Sequence, residues 1–268
     1  MPDDLTAAWE RQVADVRRRV VAVCVRMWRS EGSYRDASAR RFADAITPVI
    51  LAGQVRTAHL TEVYLTQLIA RYLAEFRSMA EGVATPESYS RKGTDPADVY
   101  RRPFADVWRS LAAGMPLDEA VADGQRRLVS IASTDMQLAK THAAQRTLTR
   151  AQHRTGQPMW YERTLTGAEN CAMCVVASTQ RYQAAELLPI HPGCDCGMRG
   201  HVGHAPNQVI HSDRLEMLHD TLNKELGVSD RAGKAPDYRK IVTVAEHGEY
   251  GPTLTIGRHD FKGPEEVS

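Results

Sequence analysis

Four of the five cysteines and one of the ten histidines fall between residues 171 and 196, and this spacing limits what that stretch can become. It reads Cys171-Ala172-Met173-Cys174, sixteen intervening residues, then His191-Pro192-Gly193-Cys194-Asp195-Cys196. A Cys-x-x-Cys places two thiolates on one turn, within reach of a single ion. A second pair drawn from His191, Cys194 and Cys196 completes a tetrahedron, and Pro192-Gly193 suits the tight turn that brings it round. Zinc accepts this mixture of thiolate and imidazole. Five candidate ligands, Cys171, Cys174, His191, Cys194 and Cys196, compete for four positions. Cys171 and Cys174 anchor the set, and His191 with either Cys196 or Cys194 is preferred to the two cysteines together.

The role expected of such an ion is structural. A catalytic zinc keeps an open position and works beside a carboxylate base. The His-x-Glu and Pro-Cys-x-x-Cys pattern of zinc deaminases is missing. A closed site would instead staple a small module that is poor in apolar residues. The competing reading is a set of buried thiols, or disulfides in an oxidising compartment. Cys24 stands apart from the cluster at an apolar helical position and reads as a small core residue.

The formal net charge of +1 gives no global field, so any attraction to nucleic acid or membrane must come from a local patch. Met1-Pro2-Asp3-Asp4 is acidic and lacks the apolar run of a signal peptide. No window reaches the roughly 18 apolar residues of a membrane span. A soluble, cytoplasmic protein is expected.

Apolar residues at Leu5, Trp9, Val13, Val16, Val20, Cys24 and Met27 predict an amphipathic helix over 5–30, ended by Gly32. A second helical stretch covers 34–80, with a start or kink at Pro48 and His59 inside its apolar stripe as a structural histidine. Residues 85–97 read as a loop. Helix resumes at Val99–Leu111, and after Gly114 and Pro116 a long helix runs from Leu117 to about Arg154 on uneven apolar support. Met159–Leu165 reads as a strand, Met198–Val202 as its return, and 213–226 as a short helix. Segments 240–244 and 253–256 flank a Gly248–Pro252 turn and predict a hairpin. The expected fold is α+β. A mostly helical region, 1–156, precedes a small zinc-stapled mixed module, 157–268.

Arg146, Arg150 and Arg154 are spaced by four, so they share one helix face, with Lys140 a little before them. They are either a phosphate-contacting stripe or a solvated face near the negative end of the helix dipole. The phosphate-binding and nucleophile-elbow glycine motifs are lacking. His201, His204 and His211 with Asn207 supply the ingredients of a His-Asn-His nuclease, in a loose order.

The Cys-x-x-Cys followed by Leu187-Leu188-Pro189-Ile190-His191-Pro192-Gly193-Cys194-Asp195-Cys196, with Arg181-Tyr182 between, resembles the Mu F-like minor head proteins of tailed bacteriophages. The alanine-rich helices and the tail Glu246-His247-Gly248-Glu249-Tyr250-Gly251-Pro252 look like the versions in phages of actinobacteria. The motif match covers about residues 159–200. One departure is Asp195, where the family often has arginine, which weakens a phosphate contact there. The resemblance implies a non-enzymatic minor capsid protein acting in head morphogenesis. Its partners would be the portal or major capsid protein and the packaged DNA, with no membrane or small-molecule substrate. Its place would be the capsid interior or portal region of the virion. The alternative is a DNA-binding or zinc-supported DNA-cleaving protein.

Overall fold

The computed structural model describes residues 2–73, 91, 93–166, 172–178, 181–184, 196–203 and 242–256. Four helices carry most of the described chain: α1 (Pro2–Arg29), α2 (Asp36–Tyr72), α3 (Pro96–Ala112) and α4 (Leu117–Thr155). The smaller elements follow in the order β1 (Met159–Thr164), α5 (Ala172–Ser178), β2 (Arg181–Gln183), β3 (Gly197–Val202), β4 (Val242–His247) and β5 (Gly251–Ile256). The chain is α+β, mostly helical, with a small antiparallel sheet in the order β2-β1-β3 and a separate β4-β5 hairpin. No described helix is long and apolar enough to cross a membrane.

α1 to α4 form where the apolar spacing predicts helix, α3 starting at Pro96 within the stretch expected as a loop, but α2 and α4 differ from simple amphipathic rods; the helix expected over 213–226 lies outside the described residues. α2 runs unbroken through Pro48. The ring removes the amide that would bind the carbonyl of Asp44. Both residues are exposed, so water can meet that carbonyl. His59, expected inside the stripe, is exposed, while Gln54, Thr57 and Thr61 are buried. α2 packs against α1, α3 and α4 together, so its buried surface is wider than a stripe.

α4 is the extreme case, since every residue from Ile131 to Thr141 is buried. This central stretch is enclosed all round, so small and polar residues replace an apolar face. Thr134 and Thr141 turn their hydroxyls back to the carbonyls of Ser130 and Gln137, each at 2.8 Å.

Two apolar cores lie along the bundle. At one end Trp28 is fully buried, with its indole N–H donating to the Val121 carbonyl at 3.1 Å. Phe42 and Phe104 meet its ring edge-on. Gly124 passes beneath it, where a Cβ would stand 2.6 Å from Trp28 and 2.8 Å from the Pro103 carbonyl oxygen. Cys24 is fully buried in this core, as expected, and burial pushes its thiol up to about 12. At the other end Trp9 stacks on Tyr64, and Leu65, Leu68 and Leu148 pack against Met159, Tyr161 and Met198 of the sheet.

A buried polar cluster joins the parts. Asp135, at the middle of α4, is 1% exposed. Its Oδ1 accepts from Arg91 at 2.9 Å, and its Oδ2 accepts from the Tyr100 hydroxyl at 2.9 Å. Arg91 also donates to Glu249 at 3.1 Å and to the Tyr250 hydroxyl at 2.7 Å, so it holds the turn of the β4-β5 hairpin. Arg102 of α3 grips the same Glu249. Burial works against the charge on Arg91, but Asp135, Tyr250 and Glu249 together outweigh it and hold the guanidinium above its ordinary value.

Removing one member of a buried pair leaves the other charge stranded. Arg91→Met is expected to destabilise the chain by about 3–5 kcal/mol in urea unfolding, and Arg91→Met with Asp135→Asn to recover part of that loss.

Candidate metal centre

β1 alternates strictly. Met159, Tyr161 and Arg163 point inward, and Trp160, Glu162 and Thr164 point the other way. On its outer face Glu162 lies directly opposite Arg181 of β2 and Arg199 of β3. Its carboxylate is 3.7 Å from Arg181, 3.9 Å from Arg199 and 3.5 Å from His201 Nε2. The close approach of His201, together with the arginines, holds the Glu162 carboxyl below the ordinary value despite partial burial. His201 is therefore engaged in the sheet. His204 and His211 lie outside the described residues.

The inner face ends at the cysteines. Cys196 immediately precedes β3, whose first residue, Gly197, pairs with Thr164 at the end of β1. Cys174 sits in α5. Both are buried thiols, and they pack in one cluster with Leu165. Two of the five expected ligands, 22 positions apart, therefore meet. Cys171, His191 and Cys194 lie outside the described residues. Among the described residues, no group of three or more histidine, cysteine or acidic side chains is gathered as for a metal ion.

The surroundings of Cys196 were not foreseen. Arg163 is 1% exposed and donates through Nη1 to the Cys196 sulfur. Gln137 Nε2 lies 3.9 Å from the same sulfur and donates to the Cys196 carbonyl at 3.3 Å. Lys140, 5% exposed, donates to that carbonyl at 2.6 Å. The Lys140 ammonium also stands 6.0 Å from the centre of the Trp9 ring. A readable sign was present in β1: period-two alternation puts Arg163 on the side of Met159 and Tyr161, an anomalous place for a cation.

N–H donors aimed at one sulfur suit a buried thiolate, because a thiolate accepts such bonds and a cation next to it lowers its cost, and the two thiols are half of the four ligands a structural zinc takes. Cys174 and Cys196 would hold the ion, which would supply a cross-link between α5 and the start of β3.

Beside this floor opens a cleft of about 620 Å³ between α1 and α4. Gln137, Lys140, Leu165 and Gly197 form part of its lining, with Arg11 and Arg17 on the α1 side. Glu10, also in the wall, accepts from the Thr164 hydroxyl, and burial raises its carboxyl above the ordinary value. Gly197 leaves room for this contact: a Cβ there would stand 2.1 Å from Glu10 Oε1.

The arginine stripe divides on folding. Lys140 is buried and turned to Cys196. Arg146 is half-buried, 3.5 Å from Glu62 of α2, Arg150 is partly exposed and Arg154 is exposed. No protein-family model, curated protein or solved structure matches the chain.

The depressed carboxyl of Glu162 has a pH consequence. Its stabilisation is fully present above the unfolded glutamate value of about 4.5 and is lost as pH falls through the lower folded value. Urea unfolding at a series of pH values should show Glu162→Gln less stable than the parent near neutrality. The two should converge in acid.

Proposed function

We propose that this chain is a minor capsid protein of a tailed bacteriophage, acting in head morphogenesis near the portal or capsid interior, with a zinc ion stapling its C-terminal module. The observation that carries this reading is the meeting of Cys174 and Cys196 in one buried cluster at the end of the β1-β3 pair. It brings together two of the four protein ligands that a closed, structural metal site requires. The phage-head resemblance of the same sequence block supplies the biological setting. The helical body, with both cores filled and its polar groups engaged in packing, suits an assembly component better than an enzyme.

The second reading, a DNA-binding protein, draws on Arg150 and Arg154 at the end of α4, the first partly exposed and the second exposed. It predicts salt-dependent DNA affinity that falls when both are changed.

Two measurements test the first reading. Elemental analysis of the purified chain should find about one zinc per chain, and Cys174→Ser should lose it. The variant should keep the far-ultraviolet helical signal, because the Trp28 core does not involve Cys174. Co-expression with portal or major capsid protein should recover a complex. A metal-free parent chain, or the absence of both complexes together with salt-dependent DNA binding, would overturn the assignment.

A further inference from the structure

The cleft between α1 and α4 serves neither the packing of the bundle nor the metal reading. Its described lining has two kinds of surface. Val13 and Met136, with Leu165, give it apolar walls. Ala7 and Ala14 stand two turns apart on the face of α1 that lines it, and their short side chains keep the space open. The second surface is charged. Arg11 and Arg17 line the α1 side, and Lys140 lines the α4 side. Arg18 is also in the wall, but it pairs with Asp15 at 3.3 Å. Among the described lining residues Glu10 is the only acid, and it is drawn against the Thr164 hydroxyl.

We propose that this cleft binds a small amphiphilic anion, a molecule with one carboxylate, sulfonate or phosphate group on an apolar body. Its volume of about 620 Å³ is that of a small-molecule site. Such sites join apolar walls to a few placed polar groups, and the lining here has that composition. The cations decide the sign of the ligand, because Arg11, Arg17 and Lys140 outnumber Glu10. Lys140 is fixed in advance: it is 5% exposed, and its ammonium donates to the Cys196 carbonyl at 2.6 Å. A cation already held in place attracts an anion without the entropy cost of first being ordered.

The wall is dry enough for charge to matter. Burial raises the Glu10 carboxyl above its ordinary value, and the same loss of water strengthens the pull between an anion and the cations beside it. Glu10 Oε1 fills the place that a Cβ on Gly197 would take, which ties the acid to the edge of the sheet. The size of the space favours one small molecule over a nucleic-acid backbone, which is bound by a run of cations along a surface. The ligand is a bound molecule rather than a substrate, and it goes beyond the structural role proposed above.

The test uses the full chain and a pair of fluorescent probes that differ in one charged group: anilinonaphthalene sulfonate, an anion, and phenylnaphthylamine, its neutral counterpart. The anion should bind once per chain and about tenfold more tightly than the neutral probe, with an affinity that falls as salt rises. Arg11→Ala with Arg17→Ala should weaken the anion by about threefold to tenfold. Ala14→Trp, which fills the cleft, should weaken both probes by about tenfold or more. Inorganic phosphate, which lacks the apolar body, should not displace the bound anion at matched concentration. Circular dichroism checks the fold of each variant, and the exposed Arg11 and partly exposed Arg17 keep the test standing should Ala14→Trp fold poorly. Equal affinity for the two probes, several probes per chain, or parental affinity in either folded variant would overturn the proposal. So would a chain that binds phosphatidylglycerol vesicles but not the free anion, since the ligand would then be a lipid surface.

Discussion

The buried carboxylate of Asp135 sets the terms for the rest of the fold. A charge at the middle of a fully enclosed helix is tolerable only with partners delivered from elsewhere in the chain. Arg91 arrives from the segment before α3, Tyr100 from α3 itself, and Glu249 and Tyr250 from the far C-terminal hairpin. The Arg91 guanidinium lies 4.7 Å from the centre of the Tyr250 ring, so the hairpin turn is held by ring and charge together. Residues separated by more than a hundred positions are bound into one cluster, and none of these partners is replaceable by an apolar residue without stranding another.

The same enclosure explains the polar character of α4. Its middle turns serve several neighbours at once: Asp135 the hairpin and α3, Gln137 and Lys140 the cysteine end of the sheet. A polar side chain inside a helix bundle normally costs stability, and here each named one is matched to a specific acceptor or donor. The price of that matching is tolerance: a helix whose every side is committed leaves few positions free to vary.

Much of the architecture was legible in the sequence because it rests on local signals. The spacing of Trp9, Val13, Val20 and Cys24 marks α1. The start of α3 was placed at Val99, yet Asp95 ahead of Pro96 caps it within the stretch read as a loop, its side chain accepting from the Ala97 amide at 2.9 Å. The alternation of Met159–Thr164 marks β1, and the glycines around 248 mark the hairpin. What escaped was non-local. His59 faces solvent and Thr57 and Thr61 face inward because three helices surround α2, which no window of sequence reports. Lys140 and Arg146 look like members of a basic face, yet one is drawn to a carbonyl 56 residues away and the other to Glu62. Spacing linked Cys174 to the 191–196 block but left Cys194 and Cys196 as alternatives; that Cys196 is the one packed with Cys174 is visible only in the fold. The arginine behind them was legible only once β1 alternation is taken together with burial.

α4 also has a mechanical meaning. From Leu117 to Lys140 it spans about 35 Å of continuous helix. At its start Leu117 is 56% exposed, beside the exposed Trp108 and Leu111 of α3. At the other end its side chains grip the residue that closes the candidate metal centre. A rod clasped along its middle by three other helices has little room to bend there, so the exposed apolar tip and the Cys196 end are held at a fixed spacing.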